Sequence, residues 1–563
     1  MRTKIYTITL FLLISIFTSA QNPGWLWAKR AGGTGFDNAF NVAVDASGNV
    51  YMVGTFNSPT ITFGTTTLTN AGSGTTTDIF LVKYDASGNV LWAKSAGGLA
   101  YDIINSIAVD ASGNVFISGS YSSASITFGT TTITNASGTG TYCIFIAKFN
   151  SSGTALWAKS PGGNSQDNVN GLTTDASGNA YITGEFSSSS LTFGTSTITN
   201  SVPTNSLIYI AKYDANGNAL WAKTPGGTAN DGGTGVTVDA TGNIYVTGYF
   251  YSPSLTFGST TLTKVGTSTT TSDIFVTKYN ASGTALWAKS FGGNYNENGG
   301  EITCDPSGNI YITGTYNSDS IFFDTTKLKN GTNGSNPFIF LSKLNASGNV
   351  VWARSAGSSG GGNYANDLVA DANGNVYLTG YFSSGFIFFG TTIISVGATT
   401  NKIFFAKYNS SGNIDWAYGA GSSGSNIASS IAMDGSNNIY IAGNFTGSSI
   451  TFASTVLNNS STSADIFLSK FNLISGVEEQ TSYSAGISVY PNPASNEINI
   501  ESKSTEKLNV QLFDITGKNL TSTIPFINST AINTQPLSEG IYFLRITNEQ
   551  SELVKTMKVS VVK

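Results

Sequence analysis

Eight positions ahead of a recurring turn aspartate, the chain carries Asp37, Asp102, Asp167, Asp231 and Glu297, with Asn363 and Asn426 at the same place in two further copies. Five acids gathered at one mouth would make an oxygen-rich site for Ca²⁺ or a cationic ligand, because hard cations take carboxylate and carbonyl oxygens. The same acids can instead accept backbone N–H bonds within their own glycine-rich loops, as Asp and Asn do in turns, and this loop reading is the favoured one. No other cofactor is indicated. Calorimetric titration with calcium separates the two readings.

Most other chemistry is excluded by what the chain lacks. It has no histidine, which removes Ser-His-Asp and Cys-His catalysis and nearly all zinc enzyme sites. A sialidase-like site wants clustered arginines for a substrate carboxylate, and the repeat region holds only Arg30 and Arg354. A glycosidase needs two carboxyls about 5–10 Å apart with separated pKa values, and nothing singles out two of five near-equivalent acids. The D-x-x-G-N-like turns at Asp45, Asp110, Asp175, Asp239, Asp305, Asp371 and Asp434 lack the alternating ligands and bidentate Glu of a calcium loop. A second set of turns places Asn150, Asn280, Asn345 and Asn409 where others have Asp, an exchange that suits a turn and not a metal ligand. Cys143 and Cys304 fall at different positions of different repeats, so inert packing is expected and no disulfide.

The elements that position these residues follow from a repeat of about 65 residues. Trp27, Trp92, Trp157, Trp221, Trp287, Trp352 and Trp416 recur in W-A-K-like contexts, and Lys83, Lys148, Lys212, Lys278, Lys343, Lys407 and Lys470 complete the ladder. Within one copy, four strands, a to d, are joined by D-A-S-G-N turns, with a Thr-rich hairpin between b and c. Both faces of strand b are apolar, as in a sheet covered on each side by copies of itself. The lysines are expected to lay their stems over apolar surface and meet a nearby carbonyl or carboxylate. The expected fold is all-β: a seven-bladed β-propeller followed by a small β-sandwich. The last copy lacks strand d, while Gly24-Trp-Leu-Trp-Ala-Lys29 stands alone before the first. That segment is expected to close the ring and remove an open edge. Only 10% of the 563 residues are charged and the net charge is −5, which argues against nucleic acid as a partner. At 12% aromatic, the chain has the apolar material to fold.

The motif D-A-S-G-N-V-Y-M-V-G-T-F at 45–56, followed by D-I-F-L-V-K-Y-D-A-S-G-N-V-L-W-A-K at 78–94, resembles the bacterial SBBP-type β-propeller repeat, which implies a seven-bladed ring and says little about activity. Near the end, Tyr490-Pro491-Asn492-Pro493, Phe513-Asp514 with Thr516-Gly517, and Gly540-Ile541-Tyr542 resemble the type A C-terminal sorting domain of type IX secretion substrates. That resemblance implies passage across the outer membrane, the secretion machinery as a partner, and removal of the domain afterwards. Residues 1–20 read as a secretory signal with a basic start, an apolar run too short to span a bilayer, and small residues before the cleavage point. The expected division is a signal at 1–20, a propeller at 21–473, a linker at 474–485 and a sorting domain at 486–563. No membrane span is expected after signal removal, and a monomer is expected.

Strand order puts the a–b and c–d turns on one end of the ring, and the b–c hairpins and d–a loops on the other. The second end is the elaborated one and the candidate binding face. The expected function is a non-enzymatic, secreted or cell-surface binding or adhesion scaffold for glycans or surface proteins. The alternatives are a secreted polysaccharide-acting enzyme, glycosidase or lyase, and a structural coat protein without a specific ligand. A specific binder or enzyme should break the sevenfold pattern in one pocket.

Overall fold

The computed structural model describes residues 24–473 and 487–562, apart from positions 267, 333, 397–399, 422–423, 460, 515–517 and 550–552. The expected signal at 1–20 and linker at 474–485 lie outside the described residues. The chain forms two compact units that divide between Leu473 and Ile474. Every regular element among the described residues is a strand.

In the first unit the four-strand pattern recurs in seven antiparallel sheets, numbered here along the chain. Sheet one runs Asp37–Val44, Val50–Phe56, Asp78–Tyr84 and Val90–Ala96 as strands a to d. Strands b and c are buried along their whole length there, as the two-sided apolar pattern requires. The turns work as their sequence dictates: Asp45 Oδ1 accepts the N–H groups of Ser47 and Asn49 at 2.9 Å, while Gly48 takes φ of +78°, a conformation glycine adopts without strain. Asn150 does the same for Ser152 and Thr154. Between strands b and c, Thr60–Phe63 and Thr66–Thr69 form the expected small hairpin.

Successive sheets share apolar cores. Tyr51, Val53 and Leu81 of sheet one pack with Ile117 and Phe145 of sheet two. Tyr377 and Phe405 of sheet six pack with Ile441 and Phe467 of sheet seven. A further core joins the two ends of the series, bringing Met52 and Phe80 of sheet one against Tyr440, Ala442 and Leu468 of sheet seven. Strand d of sheet seven comes from the other end of the chain: Gly24–Ala31 pairs antiparallel with Asp465–Asn472. Arg30 Nε lies 2.5 Å from the fully buried Asp465 carboxylate, and Trp25 packs edge-on against Phe452 and Phe471.

Six of the recurring tryptophans and five of the lysines donate to a turn carbonyl of the following sheet. Trp92 Nε1 and Lys83 Nζ both donate to the carbonyl of Ser151, a turn residue of sheet two, at 3.2 and 3.1 Å. Trp157 and Lys148 do the same at Ala215. Trp27 and Lys470 do it at Ala86, across the junction of sheets seven and one. Each lysine also stands over an aromatic ring of strand b, with Lys83 Nζ 4.8 Å from the Tyr51 centroid, which adds a cation–π contribution.

The second unit has two antiparallel sheets. One contains Ser488–Tyr490, Glu497–Glu501 and Ser529–Asn533; the other contains Ile524–Phe526, Leu508–Phe513, Gly540–Asn548 and Leu553–Val561. Their inward residues, including Ile498, Ile500 and Ile532 from one and Val510, Leu512 and Leu544 from the other, share a single core.

Candidate functional site

The five acids singled out by their spacing do not face an axial opening. Asp37, Asp102, Asp167, Asp231 and Glu297 are fully buried, as are Asn363 and Asn426. Each opens strand a of its sheet and turns its side chain into its own loops. Asp37 accepts from Gly33 N, Ser58 N and Ser58 Oγ at 2.7, 3.2 and 2.7 Å. Asp102 accepts equivalent bonds from Gly98 and Ser123. Asp167 is bound by Ser187 and Ser188, and Glu297 by Gly293 and Ser318. Their backbone N–H groups reach back to the preceding sheet, as Asp102 N does to Thr77 O at 3.0 Å. The acids thus bind their own loops through their side chains and the preceding sheet through their backbone N–H groups. No cluster of three or more His, Cys, Asp or Glu side chains among the described residues is spaced to hold a metal ion.

Burial raises all five, against the hydrogen bonds that favour the charged form. Asp167 and Asp231 are pushed up to about 6 and Glu297 to about 7, while Asp37 and Asp102 move in the same direction. A neighbouring acid opens strand c at three junctions: Asp465 near Asp37, Asp78 near Asp102 and Asp273 near Glu297. Asp78 is pushed up to about 6 and Asp273 to about 7, chiefly by burial.

The axial cavity, about 660 Å³, is lined by residues further along strand a. The reason is a bulge: each strand a gains a residue after its third position, as between Ala39 and Asn41, Val169 and Gly171, and Ala365 and Asp367. A bulge re-aims side chains locally, and here Phe40, Asn105, Asn170, Thr234, Asn366 and Ser429 line the cavity. Spacing alone does not reveal this register change.

Two carboxyls that the spacing argument missed sit in this cavity wall, Glu301 and Asp367. They occupy one position in consecutive sheets, where the others have Asn41, Ser106, Gly171, Gly235 and Ser430. Asp367 accepts from Ser430 Oγ at 2.6 Å and from Ile431 N at 2.9 Å. Glu301 lies toward Gly235, whose missing side chain leaves it room. Burial, and then the negative charge of Asp367, pushes Glu301 well above the usual carboxylate range, and burial raises Asp367 as well.

A second opening, about 600 Å³, lies across sheets three, four and five beside the d–a loops. Its wall includes Glu185, which accepts from Asn168 Nδ2 at 3.1 Å and Asn170 Nδ2 at 2.6 Å. Beside it, Tyr249 and Tyr251 meet edge to face with centroids 6.0 Å apart. Asp231 sets this pair in place by accepting from Tyr251 N and Ser252 N.

The remaining sequence candidates have structural partners. Cys143 and Cys304 are free, with Cys143 Sγ 3.2 Å from Asn135 Oδ1. In the second unit, Tyr490 bonds Glu501 through its hydroxyl, and Asn492 Oδ1 accepts from Ser560 N at 2.9 Å. Pro491 and Pro493 flank Asn492 in the turn that follows the first strand. Gly540 opens the long final hairpin, and the buried Tyr542 donates to Ser538 O at 2.8 Å. Thr516 and Gly517 lie outside the described residues.

Residues 488–560 match the family described as Secretion system C-terminal sorting domain. The chain is 27% identical over 527 residues to an uncharacterized WD repeat-containing protein of Acanthamoeba polyphaga mimivirus, covering 77% of this chain and 38% of that one. It is 29% identical over 94 residues to the regulatory protein FlaEY of Caulobacter vibrioides, covering 17% of this chain and 10% of that one. The chain therefore spans less than two fifths of either relative. Among solved structures, it is similar to PorZ, a surface component of the type IX secretion system of Porphyromonas gingivalis, at 14% identity over 93% of this chain and 81% of that one, with a TM-score of 0.24. It is also similar to a fungal alcohol oxidase at 12% identity over 96% of this chain and 100% of that one, with a TM-score of 0.39. The C-terminal unit is a type IX secretion sorting domain, carried behind an all-β, propeller-like body, and the protein is secreted or displayed at the cell surface.

Proposed function

We propose that the body is a seven-bladed β-propeller of SBBP type, closed by its N-terminal strand, and that residues 486–563 form a β-sandwich recognised by the secretion machinery. Outside the cell the propeller acts as a binding or adhesion scaffold, and its ligand is met on the end carrying the d–a loops. The observation that supports this is asymmetry. A scaffold repeats itself, and most of the recurring acids, lysines and tryptophans are held in bonds of the sheet framework. At that end, however, Glu301, Asp367 and Glu185 depart from the repeat around two openings. Binding of the exported protein to a panel of polysaccharides and to whole cells tests the proposal. Retention on one of these surfaces supports it, and a folded protein retained by none of them contradicts it.

A second reading rests on one observation. Glu301 and Asp367 are two carboxyls in one cavity wall whose proton affinity burial raises, and a glycosidase needs two carboxyls as its acid and base. Release of reducing ends from any polysaccharide, lost in Glu301→Gln, would establish this reading over the first.

A further inference from the structure

The proposed binding role leaves the ligand's chemistry open, and the opening over sheets three to five narrows it. We infer that this cleft binds an uncharged sugar residue, with Glu185 accepting hydrogen bonds from its hydroxyls and the Tyr249–Tyr251 pair supplying the apolar wall. The inference rests on the binding reading and gives it a location and a ligand class.

The composition of the wall carries the argument. It consists of carboxamides, hydroxyls, two phenol rings and one carboxyl, with no lysine or arginine among its residues. Lys264, just after the hairpin of sheet four, is held by three carbonyls, those of Tyr251, Ser268 and Thr271. A uronate or a sulfated sugar would bring negative charge to Glu185 with nothing to compensate it, so the site discriminates against anionic glycans. A neutral pyranose suits it: the carboxamides of Asn230 and Asn298 both donate and accept, as sugar hydroxyls require. Glu185 keeps acceptor capacity after its two bonds from Asn168 and Asn170, since a carboxylate offers about four lone-pair sites. Aromatic rings give a sugar's C–H face something to lie against. The volume falls within the range of about 300–1,000 Å³ usual for small-ligand sites.

The cleft is also built once. At the Glu185 position the other sheets have Thr55, Ser120, Tyr249, Thr315, Tyr381 and Asn444, so no other sheet has an acid there. The room for Tyr249 comes from Gly232, where the neighbouring sheets have Asn168 and Asn298.

The test is affinity electrophoresis of the exported protein through gels containing galactomannan or laminarin, and through gels containing polygalacturonate or chondroitin sulfate. Retardation by a neutral polymer and free passage through both anionic ones are expected. Tyr249→Ala and Glu185→Gln should each weaken retention about tenfold, the loss of a central anchor, with melting temperatures confirming that the variants fold. Asn298→Ala, on sheet five, serves as an independent check with a smaller loss. Neutral-polymer binding that survives all three substitutions overturns the site but not the binding role. Preference for the anionic polymers overturns the ligand class. Failure to bind any polymer overturns this inference, and capture of the same protein on whole cells would then leave a protein ligand as the basis of the broader proposal.

Discussion

The phenol ring of Tyr249 rests on the backbone of Gly232, so close that a methyl group there would lie 2.7 Å from Cζ. Gly232 needs no left-handed conformation, so its glycine is explained by the ring above it. Replacing it with alanine displaces the end of one side chain and leaves the sheet intact. Gly232→Ala should cost about 1 kcal/mol, at the low end for overpacking, while closing the cleft to ligand. A melting curve together with polysaccharide binding checks this, and full binding in the variant would show that the ring's position is immaterial.

Closure by the N-terminal strand makes a stronger demand on stability. Arg30 neutralises Asp465, which is fully buried, and removing one partner of such a pair typically costs about 3–5 kcal/mol. Arg30→Ala should lose about 3 kcal/mol, somewhat less than the full range because the Arg30 side chain is partly exposed. A chain beginning at Gly35 should lose more, since Trp25 and the whole edge pairing go with it. Chemical denaturation measures both, and equal midpoints for the chains beginning at Gln21 and Gly35 would refute closure.

Carboxyl groups at the sheet junctions set an unusual pH dependence. Asp78, Asp167 and Asp231 titrate near 6 in the folded chain, and Asp273 and Glu297 near 7, against ordinary values of 3.8 for Asp and 4.5 for Glu. Between those limits the folded chain holds protons that the unfolded chain has lost, so stability falls as pH rises from about 4 to about 7. The turn acids Asp45, Asp175 and Asp239 go the other way. Their partial burial is outweighed by bonds from the following Asn and from a tyrosine hydroxyl. Their contribution is complete above pH 3.8 and is lost as pH falls through their lowered values. The melting temperature should therefore peak in mildly acidic buffer and decline toward pH 7.5. A rise over pH 5 to 7.5 would contradict the assignment.

Each c–d turn glycine closes over the tryptophan of the preceding sheet. Gly217 has φ of +81°, and a Cβ there would meet the Trp157 indole at 2.7 Å. Backbone strain and crowding add together, so Gly217→Ala should cost about 2 kcal/mol, whereas Ala46→Ser, at an exposed turn tip, should change little. Parallel urea titrations decide, and similar midpoints for the two variants would show that the indole contact carries no weight.

Much of this fold is legible in the residues, and the reasons are local. Asp45, Gly48 and Trp92 are held by short-range turn chemistry and by a pattern that repeats, so each copy corroborates the others. The orphan strand at Gly24–Ala31 is legible because the last copy lacks its counterpart. The site is less so. Asp37 and its equivalents stand out by spacing, but spacing does not tell which way a strand's first side chain turns, and here it turns into its own loop. Glu301 and Asp367 become visible only when the seven copies are aligned and the departures from the repeat are examined. Even then, the bulge that brings them to the cavity comes from backbone pairing and is not written in residue type. Glu185 and Tyr249 are adjacent only because sheets three and four pack side by side.

The proposal turns on which end of the ring meets the ligand, and one comparison addresses it directly. Polysaccharide binding is measured for the exported protein, for a variant with Asn230→Arg and Tyr249→Ala at the cleft, and for one with Ala46→Arg and Ala176→Arg at exposed turn tips on the opposite end. The cleft variant is expected to lose binding while the opposite-end variant keeps it. Loss in the second with retention in the first would contradict the proposal.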